Sequence, residues 1–155
     1  MSKLEAGVAI REATASDHVV CAEILTRAWR SALPTRPRRV DLGEFRRQTL
    51  GELLLVAVVA DEVVAFISIW QPDWFVHHLF VDPAFQHQGI GSSLLEHLAR
   101  LSGDHALSLK CQVENHAAIG FYERHGFRRT ELRGRDEFGE WVELERAGWH
   151  SSDTP

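Results

Sequence analysis

The segment Gln86-His-Gln-Gly-Ile-Gly91 decides the fold, because it joins a predicted strand to a predicted helix. The residues before it, 75–81, are rich in β-branched and aromatic side chains, which is typical of a strand. After it, apolar residues recur at helical spacing over 90–101. Two glycines at a helix N-terminus expose backbone N–H groups and predict an anion site suited to phosphate. The alternative is that Gly91 only lets the helix pack close to the strand.

This segment differs from the two best-known phosphate-binding loops. A Walker loop has the pattern Gly-x-x-x-x-Gly-Lys-Ser/Thr, which does not occur in the sequence. A dinucleotide-binding fingerprint needs a third glycine, and the segment has only Gly89 and Gly91. The phosphate-bearing ligand is therefore expected to belong to another class.

Composition and charge narrow the class of protein further. The 155 residues suit one domain, expected to span 1–155 with a core of about 7–146 and a frayed tail over 148–155. The net charge of −5 disfavours a nucleic-acid partner, and no apolar run approaches the ~20 residues of a membrane span. Cys21 and Cys111 lie in apolar patterns, so we expect buried thiols and a cytoplasmic location. No Cys/His spacing fits zinc, so no metal is expected.

Periodicity predicts the element order β-α-α-β-β-β-α-β-α-β-β. The predicted strands are, approximately, 8–11, 53–60, 63–70, 74–81, 105–113, 127–135 and 140–146. The predicted helices are, approximately, 14–29, 41–50, 90–101 and 115–125. Hairpins pair strands antiparallel, whereas the two later helices are crossovers. The pattern predicts an α/β fold, with a mixed, mostly antiparallel seven-stranded sheet flanked by about four helices.

A second motif follows one helix and one strand later, at Asn115-His-Ala-Ala-Ile-Gly-Phe-Tyr-Glu-Arg-His-Gly-Phe127. It resembles the signature Asn-x-x-Ala-x-x-Phe/Leu-Tyr-x-x-x-Gly-Phe of the GNAT superfamily of N-acetyltransferases. The first motif resembles the pyrophosphate-binding pattern Gln/Arg-x-x-Gly-x-Gly/Ala of the same family. Both motifs stand in the family's order and spacing, and the predicted elements match the GNAT fold. The resemblance covers about residues 7–146 and is weakest over 30–52.

The resemblance implies that acetyl-CoA binds in a cleft where the fourth and fifth strands separate. It implies that the backbone of residues 79–81 pairs with the pantetheine arm and that the loop amides hold the pyrophosphate. Asn115 would bind the pantetheine, and Tyr122 would place its hydroxyl near the thioester sulfur. The implied cofactor-binding residues are Leu79, Phe80, Val81, Gln86, His87, Gln88, Gly89, Ile90, Gly91, Ser92, Asn115 and Tyr122. From the residues alone, Tyr122 could instead be a core side chain and Asn115 a helix N-cap.

Amine acetylation needs a base, since an aliphatic amine is mostly protonated at neutral pH. His77 and His78 are the candidates, and strand alternation predicts that their side chains point to opposite faces. In several GNAT enzymes the base or its water relay lies on the fourth strand, four residues before the position of Val81, which here is His77. The expected catalytic residues are His77 as base and Tyr122 as acid. Structural roles for the histidines, or a water-mediated reaction, are the alternatives.

For the acceptor, the resemblance points to the first two helices, their loop and the last hairpin. The candidate residues are Trp29, Arg30, Trp70 and Trp74, since aromatic walls suit an apolar or cationic amine. The loop arginines could clamp an anion or form a solvated lip; they are Arg30, Arg36, Arg38 and Arg39. Ribosomal-type N-terminal acetyltransferases tend to carry a glutamate five residues before the motif asparagine. Lys110 occupies that position, which argues against this subclass.

The sequence thus predicts an N-acetyltransferase that moves an acetyl group from acetyl-CoA directly to a primary amine of a small molecule or peptide. No cysteine lies in either motif, so an acyl-enzyme intermediate is not expected. The alternatives are a CoA-binding sensor or assembly module without turnover, and transfer of another acyl group. Sheet edges or the closing hairpin offer surfaces for a homodimer.

Overall fold

The computed structural model describes residues 7–148, so the predicted tail lies almost entirely outside the described residues. Its elements follow the predicted order. The strands are β1 (Ala9–Glu12), β2 (Leu53–Val59), β3 (Glu62–Trp70), β4 (Phe75–Val81), β5 (Leu107–Gln112), β6 (Arg128–Asp136) and β7 (Gly139–Arg146). The helices are α1 (His18–Ala32), α2 (Leu42–Gln48), α3 (Ile90–Ser102) and α4 (His116–Arg124).

The seven strands form one sheet in the order β1-β2-β3-β4-β5-β7-β6. Only β4 and β5 pair in parallel, and every other neighbouring pair is antiparallel. The predicted mixed, mostly antiparallel sheet is therefore confirmed. No helix among the described residues is long and apolar enough to cross a bilayer.

Each face of the sheet carries its own apolar core. Helices α3 and α4 cover one face, where Leu94 and Leu98 join the inward side chains of β2–β5 and β7. Helices α1 and α2 cover the other face, where Leu25 and Phe45 pack on Phe66. The amphipathic helices thus bury their apolar stripes against alternate strand residues. Both cysteines are buried free thiols, as the sequence predicted.

Strand β4 contains a β-bulge that the alternation pattern did not predict. Ser68 of β3 pairs with His78, but the next residue, Ile69, pairs with Val76, so His77 is an extra residue in the ladder. A bulge reverses the alternation of side chains on either side of it. The rings of His77 and His78 consequently stack, with centroids 3.9 Å apart. The prediction that the two histidines point to opposite faces was therefore wrong.

Strands β4 and β5 open a V-shaped cleft between them. Their pairing is limited to Phe75 with Ser108 and Val76 with Leu109, and it stops beyond that point. Residues 77–81 of β4 therefore present a backbone edge without a ladder partner on the β5 side. The bulge lies at the vertex of this cleft, and the loop after β4 lies at its mouth.

Candidate active site

The loop between β4 and α3 has the backbone geometry of an anion site. His87 and Gly89 adopt left-handed conformations, with φ angles of 64° and 81°. Helix α3 begins with the bond from the Ser93 N–H to the Gly89 carbonyl, 3.0 Å long. Amides in the preceding turn have no carbonyl one helical turn earlier, so they carry the partial positive charge of the helix N-terminus. The side-chain amide of Gln86 donates to the Val81 carbonyl (3.3 Å), which fixes the loop to the end of β4.

Gly91 has the packing role that the sequence offered as an alternative. A Cβ built there would lie 3.4 Å from Phe121 Cζ and 3.6 Å from Val81 Cγ2. The helix start is therefore held close to β4 and α4, which keeps its exposed amides at the mouth of the cleft. Close packing and an exposed helix N-terminus are thus compatible at Gly91.

The loop 86–91 contains no lysine or arginine, so a pyrophosphate there would meet backbone amides and the polar side chains of His87, Gln88 and Ser92. The Ser92 hydroxyl lies 2.9 Å from His125 Nε2, which connects α3 to the end of α4. Burial is the main cause that lowers the pKa of His125. This hydrogen bond between the hydroxyl and the ring nitrogen holds the serine oxygen in a defined orientation. Sequence patterns had not identified His125 as a neighbour of this loop.

Helix α4 carries the two polar residues of the second motif. The Asn115 Oδ1 atom accepts from the Ala118 N–H (3.2 Å), so the predicted N-cap role is present. That cap uses only the carbonyl oxygen, and the Asn115 amide nitrogen is a separate donor. Tyr122 is buried among Phe121, Phe127 and the sheet. Burial raises the pKa of Tyr122, with the nearby Cys111 thiol adding to the effect, so the hydroxyl keeps its proton at neutral pH.

The hydrogen bonds of His78 define its protonation. Gln48 Oε1 lies 3.2 Å from His78 Nε2 and also accepts from Arg38, while Ser68 Oγ lies 2.7 Å from His78 Nδ1. A carbonyl oxygen only accepts, so Nε2 carries the proton and Nδ1 accepts from the serine. Burial lowers the pKa of His78 well below its usual value, and His77 and Arg38 add to this effect. His78 is therefore a neutral, buried side chain, which suits a structural role better than proton transfer.

His77, in contrast to the buried His78, lies in an environment that solvent can reach. Its side chain is partly exposed, and its Nδ1 atom lies 2.8 Å from Glu52 Oε2. The Glu52 side chain is only 8% exposed, and its other oxygen, Oε1, has no hydrogen-bond partner among the described residues. Sequence reasoning missed Glu52, because a single acidic residue before a strand carries no periodic or motif signal.

Glu52, His77 and His78 offer donor atoms that all lie within 4.8 Å of one another, a residue set that could hold zinc. The stacked geometry does not suit one ion. The imidazole planes are only 27° from parallel at a centroid separation of 3.9 Å. Ring nitrogens bind a metal in the ring plane at about 2 Å, and these two planes do not meet that close to the rings. The arrangement fits a hydrogen-bonded pair better than a metal centre.

The four predicted acceptor residues do not converge on one pocket. Trp29 is buried, and Arg38 covers it, with the guanidinium 4.7 Å from the Trp29 ring centroid and 4.8 Å from that of Phe138. The Arg38 guanidinium thus occupies the face of the Trp29 ring on which a cationic amine was expected to stack. Trp74 stacks on His105 and packs against the core beneath α3. Arg30 is exposed on α1.

Trp70 is the predicted aromatic residue that remains accessible, with 41% of its surface exposed. It ends β3 and pairs with Phe75, two residues before His77 at the vertex. A Cβ on Gly51 would lie 3.3 Å from the Trp70 ring, which places this ring beside the segment that carries Glu52.

Two of the four loop arginines, Arg36 and Arg38, form contacts within the protein, whereas Arg30 and Arg39 are exposed. Arg36 pairs with Glu114 at the start of α4 and lies against Gly139 in the β6–β7 turn. Trp29 donates to the Arg36 carbonyl (2.7 Å) and makes an edge contact with Phe138. The α1–α2 loop is therefore fastened to the closing hairpin on the α1/α2 side of the cleft.

Comparison with known proteins agrees with the fold and the motifs. Residues 19–127 match the acetyltransferase (GNAT) family, and the chain belongs to this family. It is 33% identical over 103 residues to the peptidyl-lysine N-acetyltransferase YjaB of Salmonella typhimurium, a match that covers 65% of this chain and 68% of that protein. It is 35% identical over 87 residues to the [ribosomal protein bS18]-alanine N-acetyltransferase of Escherichia coli, covering 54% of this chain and 51% of that one. A match of 38% to N-alpha-acetyltransferase RimI of Mycobacterium tuberculosis spans 41% of this chain and 40% of the relative. The chain spans about half the length, or less, of several curated relatives that it matches.

Solved structures share the fold over nearly the whole chain. The PaiA N-acetyltransferase from Thermoplasma acidophilum, in complex with coenzyme A, superposes with a TM-score of 0.78 at 16% identity, covering 91% of this chain and 99% of that one. The ribosomal-protein-S18-alanine N-acetyltransferase from Escherichia coli gives a TM-score of 0.76 at 22% identity, covering 96% and 98%. These likenesses establish the GNAT fold.

Proposed function

We propose that this single-domain protein transfers an acetyl group from acetyl-CoA directly to a primary amine of a small molecule or peptide. The observation that carries the proposal is the V-shaped cleft between β4 and β5, with an anion loop at its mouth and an exposed histidine at its vertex. The names of the relatives support amine acceptors, since they include a peptidyl-lysine and an alanine of a ribosomal protein.

The direction of β4 fixes how the cosubstrate would lie. A pyrophosphate on the amides of 86–92 lies at the C-terminal end of the strand. A pantetheine arm that pairs with the open edge of Leu79, Phe80 and Val81 then runs back toward the vertex, with the Asn115 amide on the α4 side. Its thioester end would therefore approach His77, which is the position that the chemistry requires. Acetyl-CoA supplies the activated acetyl group.

Different protein groups would accept the proton from the amine, polarise the carbonyl and stabilise the leaving sulfur. The amine nitrogen forms a bond to the acetyl carbon, the carbon–sulfur bond breaks, and the proton that leaves the amine passes to His77 Nε2. A backbone N–H on the open edge of β4 beside the thioester polarises the carbonyl. The elevated pKa of Tyr122 makes full transfer of its proton to a thiolate unfavourable, since thiols are stronger acids. Tyr122 thus stabilises the leaving sulfur as a hydrogen-bond donor, and the proton taken by His77 reaches the sulfur through solvent.

A panel of amines incubated with acetyl-CoA and monitored for thiol release tests the proposed activity. We expect turnover with at least one primary amine and none in its absence. Cofactor binding without turnover across small amines and peptides would contradict the proposal and favour a CoA-binding module. The same panel with other acyl-CoA thioesters tests whether the transferred group is acetyl.

Two variants test the assigned groups. Tyr122→Phe should lower kcat by roughly ten- to a hundredfold, as expected for the loss of one hydrogen bond to a charged group, with little change in acetyl-CoA binding. His77→Ala should lower the rate most below neutral pH and least at high pH, where the amine loses its proton without help. His97→Gln, on α3 across the sheet from the vertex, is the control. Full activity in Tyr122→Phe would make that residue structural, and an unchanged pH–rate profile in His77→Ala would remove His77 as the base.

A further inference from the structure

The buried carboxylate at the cleft vertex has a function that the family motifs do not assign. We propose that Glu52 is a positioning residue, which fixes the tautomer and orientation of His77 so that Nε2 faces the acceptor amine. This inference rests on the proposed function, because it concerns the same proton transfer. It extends that function to a residue outside both sequence motifs.

Glu52 and His77 are in direct contact. Glu52 Oε2 lies 2.8 Å from His77 Nδ1, and the two residues come from different parts of the sheet, since Glu52 precedes β2 and His77 lies on β4. An ionised carboxylate only accepts hydrogen bonds, so Nδ1 donates and the neutral ring carries its lone pair on Nε2. Without the carboxylate, the proton could occupy either nitrogen and the ring could turn over.

The Glu52 carboxylate lies in a mostly buried environment. A buried carboxylate is costly unless charge or hydrogen bonds compensate for it. Its side chain is 8% exposed and Oε1 has no hydrogen-bond partner among the described residues, so His77 is the partner that the structure gives it. When His77 takes a proton, the resulting imidazolium lies directly against this negative charge. Glu52 therefore stabilises the form of His77 that appears during transfer.

The His77 ring is supported by the ring of His78. His78 stacks on His77 at 3.9 Å and is itself held by Ser68 and Gln48. The groups that face His77 are thus Glu52 and His78, with Arg38 reaching the cluster through Gln48. Since His78 is neutral, Glu52 is the charged group in direct contact with His77. The bulge that stacks the two rings also turns His77 toward Glu52.

The variant Glu52→Gln tests this role, because it keeps the size of the side chain and removes its charge. We expect kcat to fall about tenfold or more, within the range of general-base effects, with an unchanged KM for acetyl-CoA. In a His77→Ala background, Glu52→Gln should have no further effect. Glu123→Gln, exposed on α4, is the matched control, and unfolding transitions confirm that each variant is folded.

The ring tautomer gives a readout that does not depend on activity. In nitrogen-correlated NMR spectra, we expect the neutral His77 ring to carry its proton on Nδ1 in the wild type and to populate both tautomers in Glu52→Ala, which has no acceptor at this position. An unchanged tautomer in Glu52→Ala, or full rate in Glu52→Gln while His77→Ala is impaired, would overturn the positioning role and leave the proposed function intact. Full rate in His77→Ala would remove the base and the positioning role together. A change of the His77 signals on addition of EDTA would assign the cluster to a metal and also overturn it.

Discussion

Acid should destabilise this protein through His78, the buried histidine at the cleft vertex. Burial lowers the pKa of His78 well below its ordinary value of 6.5. Between those two values the unfolded chain binds a proton that the folded chain does not bind, so stability falls as pH falls. The contribution of the neutral ring is complete above about pH 6.5 and is lost progressively below it.

The magnitude follows from the linkage relation. One such group lowers the free energy of unfolding by at most about 1.4 kcal/mol per pH unit. From pH 7.5 to pH 5.0, with the folded-state ring remaining neutral, the loss is about 2 kcal/mol. Asp17 does not disturb this window, because its pKa is lowered to about 2, chiefly by the hydrogen bond from Arg11. His125 acts in the same direction as His78, since burial is the main cause that lowers its pKa.

Urea unfolding at several pH values between 7.5 and 5.0 measures the effect. His78→Gln should be less stable than the wild type at pH 7.5, since it loses buried hydrogen bonds. Its stability should nevertheless depend less steeply on pH, and the two curves should converge in acid. His125→Gln measures how much His125 contributes to the pH dependence of the free energy of unfolding. Parallel curves for the wild type and His78→Gln would refute the conclusion that His78 is buried in its neutral form.

Three further predictions concern stability in the same assay. Gly134→Ala should cost about 1–3 kcal/mol, because the new Cβ would lie 2.5 Å from Cζ2 of Trp141; a neutral effect would contradict this packing. Gly120→Ala should instead stabilise by up to ~1 kcal/mol, since it lies inside α4 and its Cβ would meet only the flexible end of an arginine at 3.3 Å. Asp17→Asn should cost about 1 kcal/mol at pH 7, because it weakens the 2.7 Å pair with Arg11. The wild type should lose that same contribution only as pH falls below 3.8 toward 2, and an equal loss at pH 5 would contradict the assignment.

The active-site residues differ in how far the sequence could predict them. The loop 86–91 was recognisable because two glycines between a strand and a helix define a backbone conformation locally. Asparagine is a common N-cap residue, so the capping role of Asn115 could also be predicted, and the hydrogen bond from the Ala118 N–H confirms it. Glu52 and Arg38 had no such signal, because their roles arise from contacts with residues far away in the chain. The candidate acceptor residues failed to converge for the same reason, since Arg38 and His105 occupy the aromatic faces of Trp29 and Trp74.

By itself, the sequence determined the element order, the fold class and the family. These follow from apolar periodicity and from glycine, asparagine and tyrosine motifs, which act over neighbouring residues or single helical turns. The tertiary structure decided the arrangement of the cleft vertex. Pairing of β4 with β3 creates the bulge at His77, and this bulge stacks two histidines that alternation alone would place on opposite faces. A bulge depends on the register of two strands, and the contact between the buried Glu52 carboxylate and His77 depends on residues distant in sequence, so neither property is written in the local pattern of either segment.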